Sequence, residues 1–496
     1  MGRGWPPTGI GRRDLLRGAL ATAGGLALGG SLTGCGSGGG LGGDAVEHWD
    51  WYVSQEPWVR NELELFRRAH PEIAVRRTLN AQAGYDQLFT LSQRSGDGPD
   101  VFFLTTGSVP LNEQVAEGWL LPLDRWADRE WMRRFPPHSF AEGSNMFGGR
   151  VYSAPFTRQA PNFQLYVHNE VFRAAGLVDG DGAVAVPRTW DEVTRAAERI
   201  VARGGGDVYG LGFGNGSTNL LGWWFDVFVR AAGSPGGAGG LDLRVGRHTY
   251  GSDRNYTDLA ELMMEWQNRG FLHPNSLSVS DEIARANFER GEFGMTVGGV
   301  WNQPQWTEHG FTDYSVTTLV GPTRERRGYF YSRPGGTLMA VNARSERAEE
   351  AFAWFDWWHS EEAGRRWTQE FQQDLSVHPS ANDPEAITLR PFADYVALGE
   401  LMLPGPQPWV RNPAAANIVT GPVQPDLGTV LAGLLSGQLD DAGAALRELE
   451  DRAQQGLDEA IAAAREAGHD VSGQDYVFED WDITRPYAWE IPEYPA

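Results

Sequence analysis

The chain has 496 residues, 65 acids against 42 bases, and a single cysteine; none of the bases is lysine. One cysteine excludes an intramolecular disulfide and a Cys-rich zinc site. The missing lysine excludes a P-loop or Schiff-base lysine, and a net charge of −23 repels phosphate backbones, so no nucleic-acid partner is expected. The length allows about two to four domains, and 20 tryptophans make that residue the compositional outlier.

The first segment reads as an address. Arg12 and Arg13 open a basic start, Ala19 to Leu32 is a short apolar Gly-rich run, and Leu32-Thr33-Gly34-Cys35 follows. The run is too short for a permanent membrane span. The paired arginines resemble a twin-arginine signal, and the last four residues resemble a bacterial lipobox, whose cysteine carries the lipid. Residues 1–34 are therefore expected to be an export signal, Cys35 a lipidation site and 35–44 a flexible tether. This places the protein on the outer face of the cytoplasmic membrane, anchored by lipid.

After the tether, Val46 to Val53 has strand length and composition. A helix follows from Pro57 to Ala69, with Val59, Leu63 and Phe66 on one face and His70-Pro71 ending it. Ile73 to Val75 starts a second strand, and Tyr85, Leu88 and Phe89 mark a second helix. Asp100 to Leu104 is an apolar run of the kind buried in parallel sheets. The alternation restarts after Pro155: a strand over 163–168, a short helix over 170–175, and a helix from Thr189, capped by Thr189 with Glu192 reaching back. Further helices are expected over 256–268, 283–290 and 348–359, strands over 293–297 and 337–341, and two Ala/Leu-rich helices within 425–467. Asp179-Gly180-Asp181-Gly182 reads as a turn rather than a calcium loop, because Ala183 and Ala185 stand at later ligand positions. The alternation predicts α/β lobes with mainly parallel sheets, whose ligands bind beyond the carboxyl ends of strands.

Five phrases in order carry a resemblance: ELELFRRAHPEIAVRR; GPDVFFLTTG followed by EGWLLPLD; FGGRVYSAPFTRQAPNFQLYVHNEVFRAAGL leading into PRTWDEV; FERGEFGMTVGGVW; and GGTLMAVNARSERAEEAFAWFDWW. Together they resemble the family 1 extracellular solute-binding proteins of bacterial ABC importers, over about residues 46 to 440. The resemblance implies a two-lobed periplasmic-binding-protein-like fold (type II), with hinge crossings, an interlobe cleft and a ligand that is most often a sugar or oligosaccharide. It also implies docking on an ABC permease, no catalytic group, no cofactor, no metal and a monomer. The first lobe is expected from 45–155 plus 299–358, the second from 156–298 plus 359–469, and 470–496 forms an acidic, aromatic tail that packs on its own domain. The loop over 179–186 and this tail depart from the family pattern.

A sugar has hydroxyl rims that need planar polar partners and C–H faces that need flat apolar ones. Two aromatic platforms burying roughly 100 Å² each contribute about 5 kcal/mol, and six hydroxyl hydrogen bonds contribute about 6 more. After ordering costs of at least about 4 kcal/mol, micromolar affinity remains. Trp301 is the candidate platform that the resemblance favours. Trp223 and Trp224 are a second pair of candidates, with Asp226 beside them, one ring expected to face the cleft and the other the core; Trp409 with Arg411 is a third. The strand-end rule adds Gln55, Glu56, Thr105 and Thr106. Phe156 and Arg158 lie just past the first crossing, Asn302 follows Trp301, and His378 lies in a segment near the cleft. Arg333, Gly335 and Gly336 precede a strand, where glycine lets backbone approach a ligand closely. Trp354, Trp357 and Trp358 have helical spacing and read as core, as does Trp51. Three other readings stay open: a same-fold receptor for a non-sugar or acidic solute (Arg158, Arg333 and Arg411 would suit a uronate), a surface carbohydrate-degrading enzyme, and a structural lipoprotein without ligand.

Overall fold

The structure, a computed structural model, describes residues 44–82, 84–136, 139–236, 239–325, 337–487 and the backbone of 329–331. Arg12, Arg13, Cys35, Arg333, Gly335 and Gly336 lie outside the described residues.

The first sheet runs in the order Val75–Leu79, Val46–Asp50, Val101–Phe103, Leu338–Val341, Ala154–Pro155. Its first three strands are parallel, and the last two pairings are antiparallel. Val101–Phe103 is buried on both faces, as its unbroken apolar run requires. The helix Glu56–Ala69 covers this sheet through Trp58, Val59, Glu62 and Phe66, with a proline in its first turn. The core is largely aromatic: Trp58 meets Trp358 at 4.8 Å and Trp367 at 4.9 Å, and Phe156 meets Trp358 at 5.0 Å. Rings of this size bury about 150–250 Å² each and dominate the lobe's stability.

The second sheet runs in the order Tyr314–Thr318, Gln164–His168, Phe293–Gly298, Tyr209–Leu211. Gln164–His168 is antiparallel to both neighbours, and only Phe293–Gly298 with Tyr209–Leu211 is parallel. Both sheets are therefore mixed rather than mainly parallel. The reason in the first lobe is that the chain leaves it and returns, so its last strands enter against the earlier ones. Helices Trp190–Arg203, Thr218–Ala231, Arg254–Asn268, Leu427–Leu435 and Ala442–Glu466 build the second lobe's main core. Two of them meet backbone to backbone, because a Cβ on Gly428 would lie 1.7 Å from the Thr218 carbonyl oxygen. Thr189 caps its helix by accepting from the Glu192 N–H at 3.2 Å. The Glu192 carboxylate accepts instead from the Arg188 N–H at 2.7 Å, one residue short of the expected reciprocal bond.

The expected lobe boundaries need correction. Tyr314–Thr318 pairs in the second sheet, so 299–318 is second-lobe chain. Ala363, Trp367 and Val377 pack in the first lobe's core, so that lobe extends past residue 358. The described part of the tail, up to residue 487, packs on the second lobe: Tyr476, Phe478 and Trp481 are buried with Leu243 and Leu457. Arg411 stacks on Phe478 at 3.4 Å and donates to the Val477 carbonyl at 2.6 Å.

Three segments join the lobes side by side. Thr337 donates its N–H to the Thr157 hydroxyl at 2.9 Å, and Phe156 donates to the Thr337 carbonyl at 2.8 Å. Arg158 donates to the Leu375 carbonyl at 3.1 Å, and Thr157 bridges Ser376. This hydrogen-bonded strip is the floor of the space between the lobes.

Candidate functional site

That space is a cleft of about 2340 Å³. Of the expected site residues, Gln55, Glu56, Thr105, Thr106, Arg158, Trp223 and Trp301 line it. The first two follow the strand Val46–Asp50 and the threonines follow Val101–Phe103, as the strand-end rule places them.

Glu56 and Thr105 are held from behind. Arg77 donates to Asp50 Oδ1 at 2.7 Å and to the Tyr52 carbonyl at 2.8 Å, and also pairs with Glu56. Burial raises the Asp50 pKa, but the bonds from Arg77 and His48 outweigh it and keep this carboxyl below its usual range. Thr105 donates its hydroxyl to Asp86 Oδ1 at 2.7 Å, and the Gly107 N–H and Ser108 hydroxyl bind the same carboxylate. Burial opposes ionisation of Asp86, but these hydroxyl and amide donors leave its pKa lowered. Trp51, expected in the core, lines the cleft with its ring packed edge-on against Tyr85 and Phe103 at 4.9 Å each.

The second-lobe wall is an aromatic platform. Trp223 and Trp301 lie with ring centroids 6.2 Å apart and planes 23° apart, and Phe163 meets both edge-on at 4.7 and 5.6 Å. Trp223 is 45 % exposed, while Trp301 is half-buried. The Trp301 indole N–H donates to Asp281 Oδ2 at 3.1 Å. The buried Arg285 donates to the same oxygen at 2.7 Å and to Gln305 Oε1 at 2.7 Å. Asp281, Arg285 and Gln305 also line the cleft. Gly299 leaves the room for this ring, since a Cβ there would meet it at 2.1 Å.

The remaining candidates lie elsewhere. Phe156 is in the first lobe's core. Trp224 faces inward next to Trp223, because neighbours on a helix diverge by about 100°, and its indole donates to Asn215 at 2.9 Å. Asp226 is buried and accepts from the Tyr256 hydroxyl; burial raises its pKa. Asn302 is buried behind Trp301 at the start of the helix Asn302–Glu308. His378 is buried with its ring nitrogens facing the Arg134 and His359 carbonyls at 3.1 and 2.9 Å. Trp409 does not line the cleft and has its backbone and Cβ against Gly143, and Arg411 is engaged by the tail.

Sequence reasoning also missed an entire wall, the stretch from Trp367 to Asp374. A π-helical turn spans Arg366–Glu370, and Gln372 has a φ of 52°, the only positive value at a non-glycine among the described residues. Asp374 accepts from the Tyr395 hydroxyl and, at 2.7 Å, from the Leu375 N–H. Burial pushes its carboxyl up to about 6. The adjacent glutamines in Phe371-Gln372-Gln373-Asp374 were the available signal, since uncharged amides suit hydroxyl recognition.

Two mixed α/β lobes, three hydrogen-bonded crossings and a long cleft between them define the architecture of a two-lobed binding protein. The chain belongs to the bacterial extracellular solute-binding protein family, whose pattern matches residues 52–365. Solved structures share the fold. The GacH receptor of Streptomyces glaucescens GLA.O, described unliganded and in complex with acarbose, is 17 % identical with a TM-score of 0.62, covering 83 % of this chain and 98 % of its own. RafE from Streptococcus pneumoniae is 19 % identical with a TM-score of 0.60, covering 84 % and 99 %. The maltose/maltodextrin-binding domain MalE from Bdellovibrio bacteriovorus, bound to maltotriose, is 17 % identical with a TM-score of 0.60, covering 83 % and 99 %. At these identities the likeness is one of fold. No curated protein matches the chain in sequence.

Proposed function

We propose that the chain is the lipid-anchored, extracytoplasmic receptor of an ABC importer, capturing a sugar or oligosaccharide between its lobes and delivering it to the permease. The observation that carries this reading is the Trp223–Trp301 pair over Phe163, facing amides and carboxylates across the cleft. Flat rings take the C–H faces of a pyranose, and planar polar groups take its hydroxyls. Solved structures of the same fold hold maltotriose and raffinose. The binding set is Gln55, Glu56, Thr105, Thr106, Arg158, Trp223 and Trp301, joined by Trp51, Asp281 and the 366–374 turn.

Ligand contacts on both lobes favour the closed arrangement by their differential energy, and closure creates the surface that the permease reads. The crossings at Thr157 are the natural hinge, since the three segments bend there together. Arg12 and Arg13 direct export, Cys35 carries the lipid, and 35–44 tethers a monomeric receptor to the outer face of the cytoplasmic membrane. Isothermal titration of the full chain with maltotriose, raffinose and xylotriose tests the reading. Micromolar binding of at least one, released unchanged, is expected; no binding of any, or its hydrolysis, contradicts it. Palmitate labelling that persists in Cys35→Ser contradicts the anchor.

A further inference from the structure

We propose that the turn ending in Asp374 reads the ligand's hydroxyl pattern, and that the cleft it completes selects a neutral saccharide over a uronate. This deepens the saccharide reading above and rests on it. The turn combines backbone strain with unpartnered polar atoms. A π-helical turn runs into a left-handed glutamine, a conformation that costs about 1–2 kcal/mol outside glycine. Three buried polar atoms in the same stretch have no hydrogen-bond partner among the described residues: Trp367 Nε1, Gln372 Oε1 and Gln373 Oε1. All three residues line the cleft, and Trp367 and Gln373 are 1 % and 4 % exposed. Orphaned groups of this kind are rare in folded proteins, and strained turns gather where a ligand is held.

Asp374 adds a carboxylate without a countercharge. The Tyr395 hydroxyl and the Leu375 N–H both meet Oδ1, and no arginine pairs with it among the described residues. Oδ2 is left without a protein donor there, so a ligand hydroxyl can supply one. Burial holds this group near 6, so it is largely ionised at neutral pH and accepts well. The ionisable groups that act on it are Tyr395, from the helix Arg390–Leu398, and Tyr52, from the first lobe; Arg158, whose backbone bonds the Leu375 carbonyl, and Glu370 also line the cleft. His309 stands on the opposite wall.

The charge of the cleft sets the ligand class. Among the described residues, six carboxylates line it (Glu56, Asp281, Glu282, Glu308, Glu370, Asp374) against three arginines. Each arginine already has a carboxylate: Arg60 pairs with Glu56, Arg158 with Glu400 and Arg285 with Asp281. A uronate entering here would meet excess negative charge and no free guanidinium among the described residues.

The test is calorimetry of the full chain, wild type and Asp374→Asn, at pH 7.5 and 5.0. The probes are maltotriose, raffinose, xylotriose and trigalacturonate, with melting curves on each variant. The expected result is binding of a neutral trisaccharide at least about tenfold tighter than trigalacturonate. Its affinity falls about tenfold from pH 7.5 to 5.0 as Asp374 protonates. Asp374→Asn weakens that binding about tenfold at pH 7.5 and flattens the pH dependence, while its melting temperature rises. His309→Gln keeps the dependence, which separates the imidazole from the carboxyl. Asp374→Asn with wild-type affinity and pH profile overturns the proposal, as does trigalacturonate binding as tightly as the neutral sugars. If wild type binds none of the neutral sugars, the saccharide reading itself fails; if it binds one and Asp374→Asn is indistinguishable, only this inference fails.

Discussion

The two walls of the cleft are built differently. On the second-lobe wall the Trp301 ring is fixed by the indole bond to Asp281, the Arg285 ion pair and the Gln305 amide. Among the described residues, the stretch from Trp367 to Asp374 joins a left-handed glutamine to three unpartnered polar atoms, against the single unpartnered Arg285 Nε of the platform's network. A preorganised platform stabilises a ligand without rearrangement, whereas an incomplete polar turn lowers its energy only when something binds. The difference teaches that the aromatic wall supplies affinity of a general kind, and the polar turn supplies discrimination.

Breaking the second-lobe wall should have the largest effect. Asp281→Ala leaves the buried Arg285 without its carboxylate and frees the Trp301 indole. A stability loss of about 3 kcal/mol is expected in denaturant titration. A loss below about 1 kcal/mol would mean that the network is not what fixes this wall. Removing the platform itself comes next. Trp301→Ala deletes about 100 Å² of stacking area, or about 2.5 kcal/mol, so saccharide affinity should fall about 50- to 100-fold. Trp301→Phe should retain part of it.

The polar turn answers to pH with a definite sign. The Asp374 pKa rises on folding from 3.8 to about 6. The folded state therefore holds a proton that the unfolded chain loses between these values. This stabilisation is complete below pH 3.8 and is lost as pH rises through 6. Asp374→Asn has no charge to bury, so its stability advantage over wild type should grow from pH 4 to pH 7. We expect about 1 to 2 kcal/mol at pH 7, allowing for the solvent that reaches this half-buried group. A pH-independent gap would mean that the carboxyl carries no burial penalty. The smallest effect belongs to Gln372→Gly, which relieves the left-handed backbone and should raise stability by about 0.5 to 1 kcal/mol.

Much of the fold was legible because periodicity and breakers act locally. The helix Glu56–Ala69, its His70-Pro71 stop and the Thr189 cap are all readable from the sequence alone. Strand direction was not, because Leu338–Val341 gains its antiparallel partners only after the chain has crossed between lobes. In the site, strand ends and the Gly298-Gly299-Val300-Trp301 phrase led to the cleft. Asp226 was misplaced, and which ring of the Trp223-Trp224 pair faces the cleft stayed open, for want of helical phase: Leu221, Phe225 and Phe228 mark the buried face of Thr218–Ala231, which leaves Trp223 outward. Arg411 and Trp409 depended on a tail and a loop distant in sequence. The 366–374 turn could not be read, because a left-handed glutamine has no local signature and is imposed by its surroundings.

The most direct measurement is titration calorimetry of wild type and Trp301→Ala with the neutral trisaccharides. Micromolar binding that falls about 50-fold or more on loss of the ring is the predicted result. Equal affinity in the two proteins, or no binding in either, would contradict a saccharide held on the Trp223–Trp301 platform.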